Sequence, residues 1–337
     1  MDIPPGLIDS AAILRTGGGT DSIHRRFKAG DLVRIRRGFY VPVSAWLRAR
    51  PSERFTWTTA AVSRSIKGAV LCGETAALAN GLPVLRTPAC VELATTLSGR
   101  SGTRPSPLLV LGDGKLAQQV RQTRSYPVRY RLRPAVEPVV QGEFRCTALI
   151  QTAVDVVLAA KLSEALVVAD GLARRLRLED ELPADASLLS TATIASLINA
   201  HPSAAARRRA EQAAKLASPL TESVGESYSR AAFEFLGFEQ PVLQHQLSDD
   251  DGFIGRSDCW WPEDRVVGEF DGKAKYVDAN VRGAITAEEA VYREKLREDR
   301  IRGLGMGFVR WSWADVDHPD RLRRKLLGAG LRPRVRP

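Results

Sequence analysis

The stretch RSDCWWPEDRVVGEFDGKAKY, residues 256–276, sets Asp258, Glu269 and Asp271 among apolar residues and follows them with Lys273 and Lys275. It reads as two short strands joined by a turn. Alternate side chains of a strand point to opposite faces. Val267, Glu269, Asp271 and Lys273 therefore share one face, and Val266, Gly268 and Phe270 share the other. The second face has the character of a core, the first that of a site. With the turn centred near Glu263, Asp258 comes close to Glu269 across the hairpin. Facing carboxylates on paired strands repel one another, and a cation between them offsets that cost. Upstream, LTESVGESYSRAAFEFLGF carries Val224, Tyr228, Ala231 and Phe235 at helical spacing. Glu226 lies off this stripe, beside Gly225, whose missing side chain permits close approach of another element. Glu226, Asp258 and Glu269 would then converge as oxygen ligands for Mg2+ or Mn2+. Such an ion polarises a phosphate oxygen, activates water and offsets charge on the leaving oxygen in phosphodiester hydrolysis. Lys273 or Lys275 would bind the scissile phosphate or orient the water.

The rest of the composition narrows the class. The four cysteines (Cys72, Cys90, Cys146, Cys259) stand far apart and the four histidines are scattered. A disulfide framework or zinc knuckle is not expected, and buried free thiols are. With 337 residues the chain is long enough for two or three domains. A net charge of +10 suits a polyanionic partner such as nucleic acid. No apolar run is long enough to span a bilayer, and MDIPPGLIDS lacks the regions of a signal peptide, so a cytoplasmic protein without a membrane partner is expected.

The elements that would hold DNA stand at the front. LIDSAAILRT (7–16) has helical spacing and ends at a Gly triplet; Thr20 then offers an N-cap for DSIHRRFKA, which Gly30 stops. DLVRIRRGFYVP follows as a hairpin around an Arg-Arg-Gly turn. The second helix carries His24, Arg25, Arg26 and Lys28, and the hairpin carries Arg34, Arg36 and Arg37. A helix-turn-helix lays its second helix in the major groove, and a basic hairpin beside it reaches the backbone or minor groove.

This segment, SIHRRFKAGDLVRIRRGFYVP, resembles the winged-helix N-terminal domain of AbiEi-type antitoxins, regulators of type IV toxin–antitoxin pairs; the likeness continues weakly through GAVLCGETAALANGLPVL. It implies DNA binding and a nucleotidyltransferase-like toxin as partner. The acidic stretch resembles the PD-(D/E)XK nuclease superfamily, in particular the Vsr-like group. That group's pattern stands here as Asp258, Pro262, Glu263, Arg265, Val267, Glu269, Asp271 and Gly272, with Ser223, Glu226, Ser227 and Arg230 upstream. Downstream it is matched by Lys295, Arg297, Asp299, Arg300, Leu304, Gly305, Val309, Arg310 and Trp311. In this frame Glu269 is the second metal ligand and Asp271 occupies the usual lysine position. The alternative frame takes Asp271-Gly272-Lys273 as a literal D-X-K. The first is preferred because Glu269 is better placed in the hairpin.

Between the ends, strands are expected at 90–96, 107–112 and 126–132, and one or two helices over 147–176, with Glu74 and Asp155 as cap or surface residues. Thr286 and Glu289 form a capping box opening a helix to about Arg302, FVRWSW gives a strand and PDRLRRKLLGAG a terminal helix. The expected architecture is α+β and multidomain: a winged helix over 1–50, a middle α/β region over 51–178, a helical linker over 179–218, and a C-terminal PD-(D/E)XK, restriction-endonuclease-like domain of αββ type over 219–337. Two functions fit. One is a DNA-binding protein with a magnesium-dependent endonuclease domain. The other is a non-enzymatic repressor and antitoxin that uses a nuclease fold only to bind.

Overall fold

A computed structural model describes residues 1–134, 137–183, 186–272 and 287–334, and in it the acidic stretch lies at the centre of a four-stranded sheet. Lys273, Lys275 and Thr286, and with them the expected capping box, lie outside the described residues. Strands Val242–Asp249, Gly252–Trp261 and Val266–Asp271 run antiparallel in that order, and Gly307–Ser312 adds to Val266–Asp271 in parallel. A parallel neighbour needs a crossover, and the helix Ala287–Gly303 stands between these two strands in the chain. Helix Val224–Leu236 precedes the sheet. Among the described residues the chain is mixed α+β, with 14 helices and four small sheets and no barrel or propeller. None of the described helices is long and apolar enough to cross a membrane.

Period-2 alternation places Val266, Gly268 and Phe270 inward as expected. They meet a core built from Phe233, Phe238, Trp261 and Trp311. Phe233 packs edge-on against both tryptophans, at 5.3 and 5.4 Å between ring centres. The indole N–H groups do not go unpaired: Trp261 donates to the Glu239 carbonyl and Trp311 to Ser229 Oγ. A Cβ on Gly268 would stand 2.7–2.8 Å from both indoles. Gly225 behaves as its sequence position suggested, because a Cβ there would overlap the Phe270 ring. Gly225→Ala should therefore cost about 1–3 kcal/mol through overpacking, measured by urea unfolding. A cost near zero would mean that the helix does not lie this close to the sheet.

The opposite face differs from the expectation. Val267 is fully buried with Leu247, Ile301 and Phe308 in a second small core. The helix Ala287–Gly303 covers this end of the face, so only the Glu269–Asp271 end keeps polar character. The chain ahead of the sheet is also more packed than a linker. Helices Ala192–Asn199 and Ala204–Leu216 occupy the expected linker, and the second buries Ala206, Ala210, Ala213 and Ala214. Small side chains let helices approach closely.

By compactness the chain divides into two units, Met1–Val156 and Val157–Pro337. The first begins with strand Ile8–Asp9, which takes the second and third residues of the expected helix 7–16. Asp9 is extended and accepts from the N–H groups of Ala11 and Ala12, so helix Ser10–Arg15 starts after it. Helix Asp21–Lys28 and hairpin strands Leu32–Arg36 and Phe39–Pro42 follow, and Ile8–Asp9 completes a three-stranded sheet. Thr20 precedes the helix without a side-chain cap bond.

This front segment does not stand apart at residue 50. Val33, Ile35, Phe39 and Val41 share one core with Trp57, Ala61, Val110 and Val120, because so short a hairpin cannot bury both faces against one short helix. Strands Val91–Thr95 and Val128–Leu132 form in the middle region. The strand expected at 107–112 does not form; this run makes only an isolated bridge, Leu109 to Arg34, while Val110 turns into the core. Asp155, expected at a cap or the surface, is 7% exposed and pairs with Arg133 at 3.3 Å.

Candidate active centre and nucleic-acid interface

Glu226 sits in the first turn of Val224–Leu236. Ser223 caps this helix, accepting from the Glu226 N–H, and its hydroxyl donates to Glu226 Oε1 at 2.7 Å. The Glu222 N–H and Gln244 Nε2 donate to Oε2 at 2.9 and 3.3 Å. The carboxylate thus completes a helix start, which accounts for its position but not for its burial, 7% exposed. Burial pushes its carboxyl above the usual range, against the Glu222 hydrogen bond, and the neighbouring charge of Asp258 adds to the rise. Asp258 thus lies within electrostatic reach of Glu226.

Asp258 and Glu269 stand one step beyond the last pair of their ladder, Cys259 with Gly268. The turn over 262–265 follows from Trp261 pairing with Val266, so the register is the expected one. Asp258 Oδ2 accepts the Phe270 N–H at 2.9 Å, which aims this carboxylate along the neighbouring strand. Cys259, the next residue, is buried in the aromatic core, and burial raises its thiol well above its ordinary value, leaving it protonated and unreactive. All four cysteines are buried and free, as expected.

Glu269 does not join the other two. Arg297 reaches its Oε1 at 2.6 Å and Arg310 its Oε2 at 3.0 Å. Glu294 bridges the same two guanidiniums, at 3.2 Å from Arg297 and in direct contact with Arg310. Two carboxylates and two guanidiniums close a balanced ring. Arg310 is set there by register, lying beside Glu269 on the parallel strand, and Arg297 arrives from helix Ala287–Gly303. Asp271, two residues on, has no ion-pair partner among the described residues. Nor do three acidic, histidine or cysteine side chains gather among the described residues closely enough to hold a metal ion.

Two roles escaped sequence reasoning. Arg310 was legible in principle, as the one charge on the strand FVRWSW. Asp170, buried on helix Leu162–Leu178, carries no such signal; it binds Arg230 through both oxygens at 3.0 and 3.1 Å. Of the motif arginines on helix Ala287–Gly303, Arg297 pairs with Glu294 and Arg300 with Asp249.

In the first unit, Ile23 and Phe27 are the buried residues of helix Asp21–Lys28, leaving His24, Arg25, Arg26 and Lys28 exposed. Arg37 is exposed at the hairpin turn. Arg34 and Arg36 are half-buried. Arg34 lies over the Phe27 ring at 5.5 Å, and Arg36 donates to Ser65 Oγ. The basic residues thus divide into a free set on the helix and turn, and a pair that also braces the hairpin. No protein-family model matches the chain, and no curated protein matches it.

Proposed function

We propose that this chain binds duplex DNA through its N-terminal helix and hairpin and carries a divalent-cation-dependent endonuclease centre in its C-terminal unit. The observation that carries the second part is Glu226, a carboxylate buried at a helix start and within electrostatic reach of Asp258 on the sheet. A buried carboxylate with a second acid within reach disfavours its own charge, a cost that a bound cation would offset. Both are hard oxygen donors, suited to magnesium or manganese. When bound, such an ion supplies an activated water and charge stabilisation for phosphodiester hydrolysis. Ser223, Gln244 and the Glu222 N–H fix Glu226, and the Phe270 N–H fixes Asp258. Asp271 ends the neighbouring strand Val266–Asp271 and, among the described residues, does not complete a three-acid cluster with these two; Lys273 would orient water or phosphate.

A four-stranded sheet with three antiparallel strands and a fourth added in parallel after a helix supports a PD-(D/E)XK reading of this unit. The strand–helix–helix–hairpin order of the first residues supports a winged helix of the AbiEi kind. The second reading, a regulator that only binds and pairs with a nucleotidyltransferase-like toxin, is favoured by the ring that takes both carboxylate oxygens of Glu269.

The DNA-binding half has its own test. Arg25→Ala with Arg37→Ala should weaken binding about tenfold or more and lower the log–log salt slope by about 2, as two lost phosphate contacts require. Fluorescence anisotropy against salt reads both. Unchanged affinity and slope would remove the winged-helix assignment.

A further inference from the structure

Residues 97–134 hold eight basic residues against one acid, Asp113, and the helix and hairpin of the winged-helix reading use none of them. Three stand on the rim of a small sheet. Edge strand Gly102–Arg104 is exposed along its whole length and pairs with Val128–Leu132, Thr103 opposite Arg129. Arg100 enters from the short turn before it, its guanidinium 4.7 Å from the centre of the Tyr130 ring, a contact that fixes its direction. Neighbouring Arg131 and Arg133 are neutralised by Glu92 and Asp155. Arg100, Arg104 and Arg129 are exposed and have no carboxylate partner among the described residues.

The rim adjoins the hairpin within the same unit. Arg34 exchanges two backbone hydrogen bonds with Leu109, at 2.8 and 3.0 Å. The Tyr130 hydroxyl is close enough to Arg36 to act on it electrostatically. A chain of unpaired guanidiniums repels itself, and a polyanion along the rim relieves that repulsion.

We propose that Arg100, Arg104 and Arg129, arrayed around Tyr130, form a second contact with the phosphate backbone of duplex DNA, continuing the surface of the hairpin. The polyanion is taken to be DNA on the strength of the binding function proposed above. No base edge need be read, so the contact adds affinity without sequence preference.

The full-length chain is titrated with a duplex of arbitrary sequence across a salt series, by fluorescence anisotropy, with three variants. Arg100→Ala/Arg104→Ala/Arg129→Ala should weaken binding about tenfold or more and lower the salt slope by about 2–3. The corresponding triple Lys variant should keep both, since a phosphate contact needs only the charge. An Ala triple that binds like wild type overturns the proposal. So does a Lys triple that falls as far as the Ala triple, because the loss is then one of shape. If the Ala triple loses binding while Arg25→Ala/Arg37→Ala keeps it, this surface stands and the winged-helix assignment falls. Wild-type protein that binds no duplex removes both.

Discussion

On the proposed endonuclease reading, Asp258→Asn should lower magnesium-dependent DNA cleavage by about three orders of magnitude or more, because an ion held by Glu226 and Asp258 would supply both the nucleophile and the charge stabilisation. DNA binding should survive, since the change removes a negative charge near the phosphates. The informative comparison lies on the next strand. Sequence spacing favoured Glu269 as the partner ligand, with Asp271 in the lysine position. In the structure Glu269 is tied to Arg297 and Arg310, while Asp271 has no ion-pair partner among the described residues. Asp271→Asn should therefore match Asp258→Asn in severity. Glu269→Gln should act mainly on stability, because it leaves two half-buried guanidiniums with Glu294 alone. Lys273→Ala should be as damaging as Asp271→Asn in the D-X-K frame and mild otherwise. Magnesium should also raise the melting temperature of wild type but not of Asp258→Asn, by binding the native state alone. Wild-type protein that binds DNA yet cuts no duplex, single-stranded or mismatched substrate with magnesium or manganese leaves the regulator reading in place.

What could be read in the sequence divides along physical lines. The hairpin register, the turn near Glu263 and the close approach at Gly225 all follow from local rules: period-2 alternation, a breaker between apolar runs, and a missing side chain on a helix. The features that differed depend on partners far along the chain. Ile8 and Asp9 become a strand only because Tyr40 and Phe39 return to pair with them. The run at 107–112 has strand-like residues but makes one bridge. Val267 looked like part of an open site face until helix Ala287–Gly303 brought Ile301 onto it. The same helix supplies Arg297 and Glu294, which turn an expected metal ligand into a member of a charge ring. Alternation tells which face a residue takes. It does not tell what will cover that face.

Asp170 shows the same limit with the largest consequence for stability. It lies on a helix expected from the sequence without any role for Asp170, and Arg230 appeared only as one position of a motif. The pair is buried, with Arg230 also donating to the Leu216 carbonyl and Asp170 accepting the Ser218 N–H at 2.8 Å. Arg230 stands one turn after Glu226, so this bridge ties the helix that carries Glu226 to helix Leu162–Leu178. Removing one partner strands a buried charge, and Asp170→Ala or Arg230→Met should each cost about 3–5 kcal/mol in urea unfolding. The two changes should not add. The double replacement Asp170→Leu/Arg230→Met should recover much of the loss, because a buried ion pair and an apolar pair of similar volume are often close in stability. Arg230 Nε, buried without a hydrogen-bond partner among the described residues, tilts the comparison further toward the apolar pair. If the double replacement instead costs as much as the two single changes together, the residues act independently and the bridge does not hold the Glu226 helix. With recovery, the double variant should also regain the magnesium-induced rise in melting temperature that a loosened Glu226 helix would lose.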